Sequence, residues 1–175
     1  MITVYLSHGL ESGPGALKVQ ALKSIAGQLD DVEPVILDYR QLPDPLDRLA
    51  HLRHTLHERG DDPACCVMAG ASLGGWLSAM LSAEHAMLGC FLLAPALGLA
   101  DYPETFPVLK ARATHIIHGW QDDVVPPAPV IEYARDQHLS LRLVDDDHRL
   151  HASLTVILDD FERFLRHCQT LTRYS

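Results

Sequence analysis

The chain has 175 residues, of which 47% are hydrophobic and 21% charged, enough apolar material for a sizeable core and too much for global disorder. Fourteen Lys and Arg against 23 Asp and Glu give a formal charge of −9, and so acidic a surface disfavours sequence-independent binding to a phosphate backbone. The length fits one domain, residues 1–175. In chain order, residues 2–7 form a short β-branched run that predicts a strand. Residues 14–29 carry Leu17, Ala21, Leu22, Ile25 and Leu29 at helical spacing. Val35, Ile36 and Leu37 mark a second strand within 33–39. Leu46, Leu49, Leu52 and Leu56 mark a helix over 45–59, ended by Gly60.

Residues 64–69 are apolar throughout, as in a strand covered on both faces. A helix over 74–85, strands over 88–94 and 113–118, a helix over 127–138 and a strand over 139–144 follow. Residues 150–168 close the pattern as an amphipathic helix with Leu154, Ile157, Leu158, Phe161 and Leu165 on one stripe. Such alternation predicts a three-layer α/β fold of about six mostly parallel strands with helices on both faces.

The run that opens the chain stops at Leu6, too early for a signal-peptide core, and no stretch approaches the roughly 20 apolar residues that span a bilayer. A soluble cytoplasmic protein is expected. Cys65, Cys66, Cys90 and Cys168 lack CxxC spacing and read as buried free thiols, with no disulfide framework or zinc site.

Gly70-Ala71-Ser72-Leu73-Gly74 is a G-x-S-x-G pentapeptide between a predicted strand and a predicted helix, the context of a nucleophile elbow. Glycine two residues either side of the serine relieves collision at a sharp turn, and Gly75 adds room. A serine needs a base, and the base needs an orienting acid. Asp122 follows the strand ending at His118, and His148 follows the last strand, giving a candidate triad Ser72-Asp122-His148. Asp123 competes with Asp122 through a small loop shift; His138, at a helix end, and His151, one turn into the last helix, compete with His148. The amide of Leu73 is one candidate oxyanion donor, and that of Leu10, in the loop after the first strand, is the other. Trp120 and Glu11 are candidate substrate contacts. Asp145-Asp146-Asp147 beside His148 has a second reading as a hard-metal site, but the triad already accounts for His148, so no metal is assigned. His51, His54 and His57 read as a solvated helix face and Trp76 as core.

With these segments in order, the chain resembles the alpha/beta-hydrolase superfamily, in particular its small lidless bacterial serine esterases. His8-Gly9, the elbow, His118-Gly119 through Asp122 to Val125-Pro126, and Asp147-His148 carry the likeness. The family spacing Gly-x-x-Asp-x-x-Val-Pro selects Asp122. Residues 95–112 are too few for the helical lid of larger members. The resemblance implies hydrolysis of a small-molecule ester or thioester through an acyl-enzyme, with no cofactor. An amidase or aminopeptidase on the same residues is the alternative, and a non-catalytic binding module the third reading. Lys18, Arg40 and Arg149 are the basic residues available to an anionic substrate. Oligomeric state has no signature.

Overall fold

The computed structural model describes residues 1–173. Its elements are β1 (Ile2–Ser7), α1 (Leu17–Gly27), β2 (Val32–Ile36), α2 (Pro45–Arg59), β3 (Cys66–Ala71), α3 (Leu73–Glu84), β4 (Gly89–Leu93), β5 (Ala113–Gly119), α4 (Pro127–Asp136), β6 (Ser140–Val144) and α5 (Leu154–Arg173). The strands form one sheet in the order β2-β1-β3-β4-β5-β6, and every neighbouring pair is parallel. The order runs one way from β1 to β2 and the other way from β3 onward. Right-handed crossovers therefore place α1, from the first crossover, on one face and α2, α3 and α4 on the other.

The side-chain period of two sorts the core accordingly. Val4, Leu6, Val67, Ala69, Leu93 and Ile117 meet α1 and α5, whereas Tyr5, Met68, Leu92 and Ile116 meet α2, α3 and α4. On the α5 side, the Phe91 ring packs 5.0 Å from Phe161 and 5.4 Å from Phe164. Beyond it, His115 joins three elements: Nε2 donates to Asp160 Oδ2 at 3.2 Å, and Nδ1 accepts from Ser140 Oγ at 2.8 Å. Arg142 neutralises the same carboxylate at 2.8 Å.

Some boundaries differ from those read in the sequence. β3 starts two residues late because Asp62 accepts from the Ala64 amide at 3.0 Å and opens a 3-10 turn over Pro63–Cys65. α5 begins at Leu154, since Leu150 adopts a φ of 55°; His151 accordingly lies in the preceding loop. Residues 95–112 contain no helix, and Tyr102 of this segment packs 5.1 Å from buried Trp76. Cys66, Cys90 and Cys168 are buried and Cys65 partly so; burial pushes the first three thiols up to about 12, which removes thiolate chemistry from them. Among the described residues, no helix is long and apolar enough to cross a membrane.

Two glycines test the packing. A Cβ at Gly74 would stand 2.1 Å from the Ser7 carbonyl oxygen, whereas one at Gly15 meets nothing within 4 Å. Gly74→Ala should destabilise the protein by at least about 3 kcal/mol, and Gly15→Ala should stay within about 0.5 kcal/mol of the native value, measured by denaturant unfolding.

Candidate active site

Between β3 and α3 a single residue, Ser72, turns the chain, with φ 53° and ψ −117°. A positive φ is unfavourable for serine and persists only where the surroundings hold it. Here the Ser72 amide donates to Leu93 O at 2.9 Å, and its carbonyl accepts from Trp76 N and Ala96 N at 3.1 and 3.0 Å. The glycine spacing is a steric requirement, because a Cβ at Gly70 would lie 2.1 Å from the Gly74 carbonyl oxygen.

The loops after β5 and β6 bring Asp122 and His148 to this serine. His148 Nδ1 donates to Asp122 Oδ2 at 2.7 Å, which leaves Nε2 to accept from Ser72 Oγ at 3.0 Å. The other carboxylate oxygen of Asp122 accepts from the amides of Val124 and Val125 at 3.0 and 2.7 Å. Asp122 is 5% exposed; Asp123, the neighbouring competitor, is exposed and lines the cavity mouth. Behind Asp122 lies His118, which the sequence marks as the end of a strand and as part of the likeness, with no role in the site. Its Nε2 donates to Val125 O at 2.8 Å and stands 3.4 Å from Asp122 Oδ2, and burial keeps the ring neutral. His151 lines the cavity rim and His138 lies in a separate groove beside His115.

The two loops are stitched together by backbone. Trp120 N donates to Val144 O at 2.9 Å and Gln121 N to Asp146 O at 3.0 Å. The contact is so close that a Cβ at Gly119 would sit 2.3 Å from the Asp146 carbonyl oxygen. The acidic run serves this turn: Asp146 accepts from the Asp147 and Ser153 amides, Asp147 from the Arg149 amide, and Asp145 from the Gln121 side chain, each at 2.8 Å. Lys18 of α1 donates to the Arg149 carbonyl, tying the histidine loop to the opposite wall.

After β1, His8 is fully buried. Its Nε2 accepts from Tyr39 N at 3.0 Å, so the ring proton resides on Nδ1 and donates to Gly9 O at 2.8 Å. Burial lowers the His8 pKa, consistent with a neutral ring. Among the described residues, neither the Leu10 nor the Leu73 amide is paired with a protein acceptor. Arg48 of α2 also reaches this loop, a residue absent from the candidates read in the sequence. A cavity of about 680 Å³ opens over Ser72, with Leu10, Glu11, Leu17, Leu99, Tyr102 and Val124 among its lining residues. Trp120 is half-exposed and outside the lining; Arg40 is also outside it and pairs with Asp38 at 2.6 Å.

Residues 2–105 match the model of the uncharacterised protein family UPF0227. The chain is also 31% identical to a Xanthomonas campestris pv. campestris protein assigned to the alpha/beta hydrolase superfamily, over 95% of this chain and 99% of that one, with a TM-score of 0.85. The chain belongs to UPF0227 and to the alpha/beta hydrolase superfamily. Two further superfamily structures share the fold at lower identity. Est1E from Butyrivibrio proteoclasticus is 18% identical, over 97% of this chain and 88% of that one, with a TM-score of 0.77. XC6422 from Xanthomonas campestris, a serine hydrolase without a lid, is 19% identical, over 95% and 81%, with a TM-score of 0.77. Comparison with curated protein sequences gives no match.

Burial holds His8, His115 and His118 below the ordinary histidine pKa, so the unfolded chain binds protons that the folded hydrolase refuses. Stability is then highest above pH about 6.5 and falls as pH drops from there toward the depressed folded values, below which these groups cost no more. Unfolding free energy measured between pH 7 and 5 should decrease with acidification. His115→Gln should shallow that slope by up to about 1.4 kcal/mol per pH unit.

Proposed function

We propose that this protein is a serine hydrolase that cleaves carboxylic esters of small or medium acyl groups, with thioesters as a related class, through Ser72, Asp122 and His148. The carrying observation is the unbroken chain from Ser72 Oγ to His148 Nε2 at 3.0 Å and from His148 Nδ1 to Asp122 at 2.7 Å. His148 takes the hydroxyl proton as Ser72 Oγ attacks the carbonyl carbon. Asp122, held by two backbone amides, keeps the ring in the required tautomer and stabilises the imidazolium. The negative charge that develops on the former carbonyl oxygen is met by the amides of Leu10 and Leu73, the latter at the N-terminus of α3. Collapse expels the alcohol or thiol with the proton from His148. Water deprotonated by His148 then attacks the acyl-enzyme, and the acid leaves with Ser72 regenerated.

The apolar walls at Leu10, Leu17, Leu99 and Val124 favour an uncharged acyl group over an anionic one. The fold relative Est1E has been seen with ferulic acid bound, and Tyr102 offers this cavity an aromatic wall for an acid of that kind. A second reading rests on Glu11, whose place in the lining gives an amine a carboxylate partner, as an aminopeptidase requires. Matched p-nitrophenyl esters and p-nitroanilides separate the two: at least 100-fold faster ester turnover supports the esterase, and anilide turnover at a comparable rate supports the aminopeptidase.

A fluorophosphonate should add once to the native protein, seen by intact mass, and not to Ser72→Ala; a folded native protein that takes up no label would overturn the hydrolase reading. Asp122→Asn should lower kcat by about 10³-fold or more, because the wrong tautomer then faces the serine. Asp123→Asn should stay within about 3-fold of native, and the reverse order would move the acid by one residue.

A further inference from the structure

α2 buries an arginine. Arg48 is 2% exposed, and its guanidinium donates from Nε to Leu42 O at 2.6 Å, from Nη1 to Gly9 O at 3.1 Å and from Nη2 to Leu10 O at 3.4 Å. It also sits 5.4 Å from the centroid of the Tyr39 ring. Among the described residues, no carboxylate lies within ion-pair distance of it. A cation buried without a counter-ion is costly, and an apolar side chain of similar volume would pack α2 at lower cost. Its partners suggest what that cost sustains, since two of the three carbonyls belong to the loop after β1.

A trans peptide is planar, with its C=O and N–H pointing in opposite directions. The Gly9 carbonyl and the Leu10 N–H belong to one such plane. His8 Nδ1 at 2.8 Å and Arg48 Nη1 at 3.1 Å both hold that carbonyl, which fixes where the Leu10 N–H points on the far side. Arg48 Nη2 holds the carbonyl of the next peptide, so both planes flanking Leu10 are pinned. Packing does little of this work, because the Leu10 side chain is 51% exposed. Donation from a cation also polarises the Gly9–Leu10 peptide and makes its N–H a stronger donor.

We infer that Arg48 is a positioning residue for the oxyanion hole: it aims the Leu10 N–H at the oxygen that becomes negative and sets an unpaired positive charge behind that amide. The inference rests on the ester-hydrolase reading above. Arg48 never touches the substrate and acts through the Gly9–Leu10 peptide. Lysine keeps the charge but has no rigid fork to span three carbonyls; methionine keeps the volume and loses both.

Arg48→Met, Arg48→Lys and, as a control for destabilisation of the same helix, Leu56→Ala are compared with the native protein. Four quantities are measured: fluorophosphonate labelling rate, kcat and KM on p-nitrophenyl butyrate, inhibition by an alkyl trifluoromethyl ketone, and melting temperature. Arg48→Met should lose about 10- to 100-fold in kcat, comparable to a misaimed oxyanion donor, with KM within about 3-fold. The ketone, whose adduct carries the oxyanion, should lose affinity by the same factor. Arg48→Lys should fall between Met and native. Leu56→Ala should melt lower yet keep kcat within about 3-fold, since it lies away from the loop. If Arg48→Met does not fold, Arg48→Lys decides: proportional losses in kcat and ketone affinity support the role, and native values of both overturn it. A change confined to KM, or a kcat loss matched by Leu56→Ala at equal loss of melting temperature, overturns it too. Native protein that takes no label fails the hydrolase reading and the inference with it. Labelled native protein with unaltered Arg48 variants fails the inference alone.

Discussion

The structure depends on one backbone contact, between the first turn of α3 and the end of β1. It exists because residue 74 has no side chain: a Cβ there would stand 2.1 Å from the Ser7 carbonyl oxygen and 2.8 Å from that of His8. The contact lies where the strand order reverses, so the loops leaving β1 and β3 diverge above it and open a crevice at the carboxyl edge of the sheet. Ser72 stands at the lip of this crevice in a backbone conformation that costs roughly 1–3 kcal/mol. Hydrogen bonds to Leu93, Trp76 and Ala96 hold it there. Loosening that contact would move the serine and the β1 loop apart together.

A second close approach completes the site from the other side. β4 separates β3 from the strands that deliver Asp122 and His148, so their loops must reach back over the sheet edge. They do so joined, through the amides of Trp120 and Gln121 and the bare Cα of Gly119. Lys18 fastens the histidine loop to α1. The electrostatics follow the same plan. Asp122 carries its charge out of water with two amide donors and the His148 Nδ1–H, while neutral His118 adds a dipole and no competing charge. The positive charge of Arg48 meets the carbonyls of Gly9 and Leu10 in the loop after β1, the loop that supplies an oxyanion donor in the proposed mechanism. Under the proposed acyl transfer, negative charge behind His148 and positive charge behind the loop after β1 would lie along the direction in which charge moves.

Much of the sheet and its helices was legible because strands such as β1 and β3 are short apolar runs and helices such as α2 and α5 carry an apolar stripe, local signals that survive in the fold. α2 is the clearest instance, observed over Pro45–Arg59 with Gly60 in the left-handed conformation, as the spacing predicts. Two of the boundaries that moved had tertiary or cap-level causes: the Asp62 turn before β3, and the left-handed Leu150 that delays α5. Ser72 and His148 stood out through strand-to-loop context. Asp122 and Asp123 did not separate on local grounds, since adjacent loop carboxylates look alike until the turn buries one and exposes the other. Arg48 had a signal of its own, lying four residues before Leu52 and eight before Leu56 on the apolar stripe. A charged residue there reads as the edge of the polar face until the carbonyls it meets are known. Trp120 shows the converse, an aromatic beside the acid in sequence whose ring lies outside the cavity.

The open cavity bears on how such a hydrolase would choose its acyl group. Leu10, Leu17 and Val124 are 51%, 62% and 54% exposed around its mouth, and residues 95–112 supply no helix to cover them. An acyl chain laid along this rim covers apolar surface on one side and leaves the other in water. Each added methylene then returns less than the roughly 0.8 kcal/mol of full burial, at most about a 4-fold gain in binding per carbon. Sharp rejection of longer chains needs a closed end against which the chain collides, and a rim has none. Selection along the chain is therefore gradual in this architecture. In the proposed mechanism, demanding recognition falls to the floor of the cavity, where Ser72, His148 and the Leu10 amide would fix the position of the carbonyl itself.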